Sequence, residues 1–153
     1  MLKIADIMTR DVFTLPATCR ADQAACELAL RGFTGAPVHD DAGRLVGVLS
    51  RSDLMDPERN EGALDGKEVQ DLMTPAMFTL APGDSVLRAI QLMVREGIHR
   101  VLVMDERRQM VGIVTSSDVL RAVVRGQLGV EAMGGGAADV YRAASAAERP
   151  AHA

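Results

Sequence analysis

Residues 47–55 read GVLSRSDLM, and residues 112–120 read GIVTSSDVL. Both contain a Gly, an aliphatic run, a Ser or Thr, two further residues and an Asp. The offset is 112 − 47 = 65, and the same shift carries Asp6 to Asp71, Phe13 to Phe78, Gly32 to Gly97 and Asp53 to Asp118. When Asp6–Leu54 is laid against Asp71–Val119, 14 of 49 positions are identical without a gap. Many of the others exchange one aliphatic side chain for another. Self-similarity at a fixed offset marks a duplicated structural unit.

Outward from that stretch, the two copies predict the same elements. A helical turn at ADIMT or VQDLMT leads to a brief strand, VFTL or MFTL. A helix follows. Its apolar positions are Ala21, Ala24, Ala25, Leu28 and Ala29 in the first copy and Val86, Ala89, Ile90, Met93 and Val94 in the second. Both sets follow i, i+3, i+4, i+7, i+8, one stripe of a helix. PGDS before the second of these helices offers N-cap chemistry, and Gly32 and Gly97 stand where helices stop. Two β-rich runs come next, APVHD and RLVGVLS or RVLVMD and QMVGIVT, with hairpin turns at DAG and ERR. A second helix starts just after the Ser or Thr. A strand, helix, hairpin and helix in about 50 residues make an α+β unit too small to bury its own sheet well. Two pseudo-twofold-related copies packed sheet to sheet would solve that jointly. The expected organisation is repeat 1 over residues 1–55, a polar linker over 56–66, repeat 2 over 67–125 and a flexible Ala/Gly-rich tail over 126–153. At most a weak helix is expected in that tail, near Ala137–Ala147.

Bulk properties narrow the function. A chain of 153 residues with 48% hydrophobic content has one-domain length and enough apolar material for a core. No apolar run approaches the roughly 18 residues of a membrane span, and MLKIADIMTRD is not a secretory signal, so a cytoplasmic protein without a membrane partner is expected. A net charge of −4 disfavours a nucleic-acid binder. Three Phe, one Tyr and no Trp leave too few rings to stack on single strands. Cys19 and Cys26 do not make a disulfide scaffold, and with only His39, His99 and His152 beside them no metal site is expected.

The Ser/Thr-x-x-Asp segment has two readings. As a capping box, Ser50 or Thr115 accepts from free N–H groups of the helix while Asp53 or Asp118 sits near its positive end. As a ligand site, an ionised Asp is an acceptor-only group able to grip both hydroxyls of a ribose. The neighbouring hydroxyl and helix start then suit a phosphate. The strand before it (Val46 and Val48; Val111 and Ile113) would wall a base. Those are the parts a nucleotide needs.

The pattern DIMT…VFTL…GAPVHDDAGRLVGVLSRSDL, with its second copy, resembles a tandem pair of cystathionine β-synthase (CBS) domains, the Bateman module, over about residues 3–125. The resemblance implies a stand-alone regulatory sensor for an adenine nucleotide, AMP, ADP or ATP, with NAD or S-adenosylmethionine less favoured. It implies sites that draw on both copies. One would use Ile113, Thr115, Ser117 and Asp118 with Val12, Phe13, Phe33 and Thr34. The other would use Val48, Ser50, Ser52 and Asp53 with Met77, Phe78, Ile98 and His99. His99 and Arg100 of GIHRVLV are the implied phosphate contacts; Thr34 and Gly35 supply no charge at the matching places, so unequal sites are expected, with that of Asp118 tighter for phosphorylated ligands. Leu102 departs from the family by replacing the Pro seen at Pro37. The resemblance also implies a homodimer formed through helices and signal transduction to an unknown regulated protein. The alternative is a ligand-free structural dimerisation module in which the same segments are only caps.

No catalytic role is expected. The chain lacks GxSxG, HExxH and GxGxxG, and GALDGKE at 62–68 is one residue short of a phosphate loop, with Glu68 where Mg²⁺ needs Ser or Thr.

Overall fold

A computed structural model of the chain describes residues 1–60 and 63–129. In chain order its elements are α1 (Ile4–Ile7), β1 (Leu15–Pro16), α2 (Ala21–Arg31), β2 (Gly35–His39), β3 (Leu45–Ser50), α3 (Arg51–Met55), α4 (Pro57–Asn60), α5 (Val69–Leu72), β4 (Thr79–Leu80), α6 (Val86–Glu96), β5 (Arg100–Met104), β6 (Met110–Thr115) and α7 (Ser116–Val124). This is the α+β architecture expected, with two three-stranded sheets ordered β1-β2-β3 and β4-β5-β6. In each, the first strand runs parallel to the middle one and the last pair is an antiparallel hairpin.

The chain divides into two compact units, Phe13–Met77 on one hand and Met1–Val12 with the chain from Phe78 onward on the other. These units are a different partition from the sequence repeats. The leading segment of each repeat packs with the body of the other. In the Phe13–Met77 unit, Ala21 N–H at the start of α2 donates to Lys67 O (2.9 Å), and Val69 and Gln70 N–H donate to Cys19 O and Ala17 O. In the other unit, Val86 N–H at the start of α6 donates to Leu2 O (3.0 Å), and Ile4 and Ala5 N–H donate to Asp84 O and Pro82 O. Helix starts leave N–H groups without internal partners, and here the visiting segment accepts from them. The visitors also fill the cores. Ile4 is wholly buried with Ala89, Val101 and Val114, and Leu72 and Val69 with Leu28, Val38 and Leu49. Each such aliphatic side chain contributes about 1.5–3 kcal/mol by its removal from water.

The repeated residues mostly serve this construction. Asp6 Oδ2 accepts from Lys3 N–H (2.8 Å), and Asp71 Oδ2 from Glu68 N–H (2.9 Å), closing the first turn of α1 and α5. Thr9 and Ile113 exchange two backbone hydrogen bonds of 2.9 Å, as do Thr74 and Val48. Asp40 Oδ1 accepts from Ala42 and Arg44 N–H, and Asp105 Oδ1 from Arg107 and Gln109 N–H, so each sets its hairpin turn. Gly32 and Gly97 end α2 and α6 in the left-handed region (φ 66° and 63°).

The copies differ in several places. Asp56 is held extended ahead of Pro57, which stops α3 at Met55, whereas α7 runs on to Val124. Within the expected linker, residues 57–60 form the short helix α4. Leu102 N–H donates to Phe78 O (3.0 Å), a bond Pro37 cannot make. After α7, Gly126 turns left-handed (φ 70°), Gln127 and Leu128 N–H return to Ala122 O, and Leu128 is buried against Val86 and Ala122. The tail expected from Gly126 is thus seated as far as Leu128; residues 130–153, including the helix expected near Ala137–Ala147, lie outside the described residues. No helix among the described residues is long and apolar enough to cross a membrane.

Candidate functional site

In the unit containing α7, β6 ends at Thr115, whose backbone stays extended (φ −114°, ψ 164°) and caps the helix. Thr115 Oγ1 accepts from Asp118 N–H (3.3 Å), while Asp118 Oδ2 accepts from Thr115 N–H (2.8 Å) and Oγ1–H (2.9 Å). The second oxygen, Oδ1, accepts from Arg121 Nη2 at 2.5 Å. Asp118 is only 5% exposed, the single buried charged side chain among the described residues, whereas the Arg121 side chain is 59% exposed. Ser116 N–H donates to His99 O (3.0 Å), and Arg100 pairs with Thr115 across the hairpin. His99 and Arg100 are thereby carried beside the Thr115 cap, His99 exposed and Arg100 half-buried. Ser117 is exposed in the first turn of α7, and Ile113 is buried in β6 opposite Thr9. Val12, Phe78 and Ile98 belong to this unit and are half-buried.

The Phe13–Met77 unit repeats the arrangement on β3 and α3. Ser50 Oγ accepts from Asp53 N–H (3.3 Å), and Asp53 Oδ2 accepts from Ser50 N–H (2.9 Å) and Oγ–H (3.0 Å). Ser52 Oγ lies 2.7 Å from Ser50 Oγ. Because the Ser50 hydroxyl donates to the carboxylate, Ser52 is the donor of that pair. Asp53 Oδ1 accepts from Thr74 Oγ1 and from Arg59 Nη1, each at 3.3 Å. Thr34 O accepts from Arg51 N–H (2.9 Å), which places Thr34 at the same strand end. Phe13 and Phe33 stand with ring centroids 6.0 Å apart, and the Arg31 guanidinium lies 4.1 Å over the Phe13 ring, a cation–π contact. Val48 is half-buried beside Thr74, and Met77 is exposed.

Both Ser/Thr-x-x-Asp segments are therefore capping boxes, and in both the carboxylate turns one oxygen onto a main-chain amide. The other oxygen meets an arginine. Sequence reasoning missed those arginines and Thr74. Arg121 was detectable, because Asp118 and Arg121 are three apart on one helix face. Arg59 reaches Asp53 from beyond the Pro57 break, where no periodicity links them. Among the described residues, no group of three or more His, Cys, Asp or Glu side chains is placed to hold a metal.

The family model for the CBS domain matches residues 4–57 and 69–125. A crystal structure of CBSX2 in complex with AMP superposes with a TM-score of 0.72 at 30% identity, covering 84% of this chain and 100% of that one; another structure of CBSX2 identifies its source as Arabidopsis thaliana. The CBS domain pair of protein MJ0100, in complex with 5′-methylthioadenosine and S-adenosyl-L-methionine, gives a TM-score of 0.72 at 26% identity over 84% of this chain and 99% of that one. A Methanocaldococcus jannaschii protein, MJ1232, is 28% identical over 122 residues, 80% of this chain and 40% of its own length. The chain spans only 24–40% of the lengths of the first curated relatives it matches.

Proposed function

The chain belongs to the CBS domain family, and from that premise we propose that it is a regulatory module binding an adenosine-type ligand at its Ser/Thr-x-x-Asp segments, with no catalytic step of its own. The observation that carries this reading is the state of Asp118. Thr115 fixes the carboxylate through Oδ2, and Oδ1 points to a mostly exposed arginine that a ligand can displace. A ribose diol presents two O–H donors to such an acceptor. His99 and Arg100, held beside the same strand end, supply a cation and a hydrogen-bonding ring for phosphate, which favours AMP, ADP or ATP at this segment. The AMP bound by CBSX2 and the 5′-methylthioadenosine and S-adenosyl-L-methionine bound by the MJ0100 pair support an adenosine ligand as the common element.

Occupancy would be transmitted through differential affinity for two arrangements of the protein, alone or with a regulated partner. A homodimer is part of the proposal. Helix α7 exposes Leu120 (64%), Val123 (38%) and Val124 (87%) along one stripe, an apolar face suited to a second helix.

A second reading, a ligand-free structural module, is favoured by the completed capping boxes, each worth about 1 kcal/mol without any ligand. Thermal unfolding with AMP, ADP, ATP, NAD, 5′-methylthioadenosine and S-adenosylmethionine separates the two. At a hundredfold excess over Kd, a ligand of the native state adds about 2.7 kcal/mol, a rise of several degrees. A flat response to every adenosine compound would leave the structural reading standing and refute the regulatory one.

A further inference from the structure

Arg59 does more at Asp53 than Arg121 does at Asp118. Arg121 is on the same helix as its carboxylate and three residues away. Arg59 lies beyond the Asp56–Pro57 break on α4, and its Nη1 donates to Leu72 O (2.8 Å) as well as to Asp53 Oδ1, with Nε 3.4 Å from Asp56 Oδ2. One guanidinium thus ties the linker to the carboxylate of α3 and to the last residue of α5.

The acceptor count differs as well. A carboxylate offers about four lone-pair positions. At Asp53, Ser50 N–H and Oγ–H take two on Oδ2, and Thr74 and Arg59 take two on Oδ1. At Asp118, Thr115 takes two and Arg121 one. The repeat partner of Thr74 is Thr9, exposed and making no side-chain bond to Asp118. Among the described residues, Asp118 therefore keeps one acceptor position that no donor takes, and Asp53 keeps none.

We infer that Arg59 is an intramolecular latch that occupies the place of a ligand's hydroxyl donors at Asp53, so that filling this site requires the linker helix to let go. The inference rests on the proposed adenosine site. It makes the Asp118 segment the first to fill and the Asp53 segment the one whose occupancy is felt by the linker. The latch is a half-exposed ion pair, 40% exposed on the Arg59 side and 13% on the Asp53 side, so its release costs a modest amount. Removing it should tighten the site roughly fivefold, the ratio that corresponds to about 1 kcal/mol.

The test uses the full chain with AMP as probe. In an Asp118→Asn background, which leaves the Asp53 segment alone, calorimetric titration should show AMP binding roughly fivefold tighter after Arg59→Gln. Arg59→Lys, which cannot bridge the same acceptors, should act in the same direction and replaces the Gln variant if that fails to fold. With the native sequence, trypsin cleavage after Arg59 needs that side chain free, so saturating AMP should speed release of the 1–59 fragment relative to cleavage after Arg108. Weaker or unchanged AMP affinity in the Arg59 variants, or slower cleavage with AMP, overturns the latch while leaving the adenosine reading intact. Binding by the native chain with none in the Asp118→Asn background, Arg59→Gln included, also overturns it. No binding by any of these proteins overturns both.

Discussion

Gly47 faces the carbonyl of Thr74 so closely that a Cβ built on it would lie 2.7 Å from that oxygen and 2.9 Å from Met73 Sδ. Gly112 stands in the same relation to Thr9 O (2.9 Å) and Met8 Sδ (2.7 Å). The glycine at the head of each repeated stretch is thus the opening through which the other repeat's leading segment reaches the hairpin. Gly47→Ala and Gly112→Ala should each cost about 1–3 kcal/mol, because backbone as well as a flexible thioether must move. Chemical denaturation measures this, with Gly83→Ala, where nothing lies within 4 Å, as the near-neutral control. Gly47→Ala and Gly112→Ala stabilities equal to the control would show that the approach is not tight.

Asp40 should make the first hairpin acid-sensitive. The backbone N–H of Arg44 is the largest influence on the Asp40 carboxyl and outweighs the opposing desolvation, and with added help from the Arg44 guanidinium and the Ala42 N–H it holds the carboxyl below its usual range. A depressed folded-state value means that the stabilisation is complete above the unfolded value near 3.9 and is lost as pH falls through the folded one. The difference in melting temperature between the native chain and Asp40→Asn should therefore be constant from pH 7 to about 5 and close below about pH 4. A gap that persists unchanged at pH 3 would exclude this ionisation as its source.

Cys19 should be the slow thiol. Burial first, and then the Glu27 and Asp22 carboxylates, push its pKa up, while Cys26 is exposed on α2. The thiolate is the reactive form. Mass spectrometry during mild iodoacetamide treatment at neutral pH should find Cys26 modified ahead of Cys19. The reverse order would contradict the packing around α2.

The apolar stripe on α7 gives an assembly prediction. Light scattering after size exclusion should report twice the 16.3 kDa chain mass, and Leu120→Asp with Val124→Asp should return it to one. A native chain that runs as a monomer at tens of micromolar would remove the homodimer from the proposal.

The sequence displayed its elements more openly than its partition. The stripes of α2 and α6, the Gly32 and Gly97 stops and both hairpins follow local periods and turn chemistry, so a single copy suffices to place them. The exchange of leading segments does not. Nothing within ADIMT or VQDLMT says which hairpin it will join, and Gly47 and Gly112, the same residue in both copies, mark only that a backbone approaches closely there. At the site, the Ser/Thr-x-x-Asp spacing specified a capping box in full, and Arg121 follows from helix geometry. Arg59 and Thr74 reach Asp53 through tertiary folding across 6 and 21 residues, beyond any local pattern.

The claim that a carboxylate holds a sugar diol is tested most directly by comparing AMP with its 2′-deoxy analogue on the native chain and on Asp118→Asn, by titration calorimetry. Asn keeps an oxygen for Thr115 N–H but removes the charge. The native chain should lose about tenfold or more in affinity without the 2′-hydroxyl, in line with a hydrogen bond to a charged group, and in Asp118→Asn that penalty should largely vanish. An equal penalty in both proteins would contradict the assignment of the diol to Asp118.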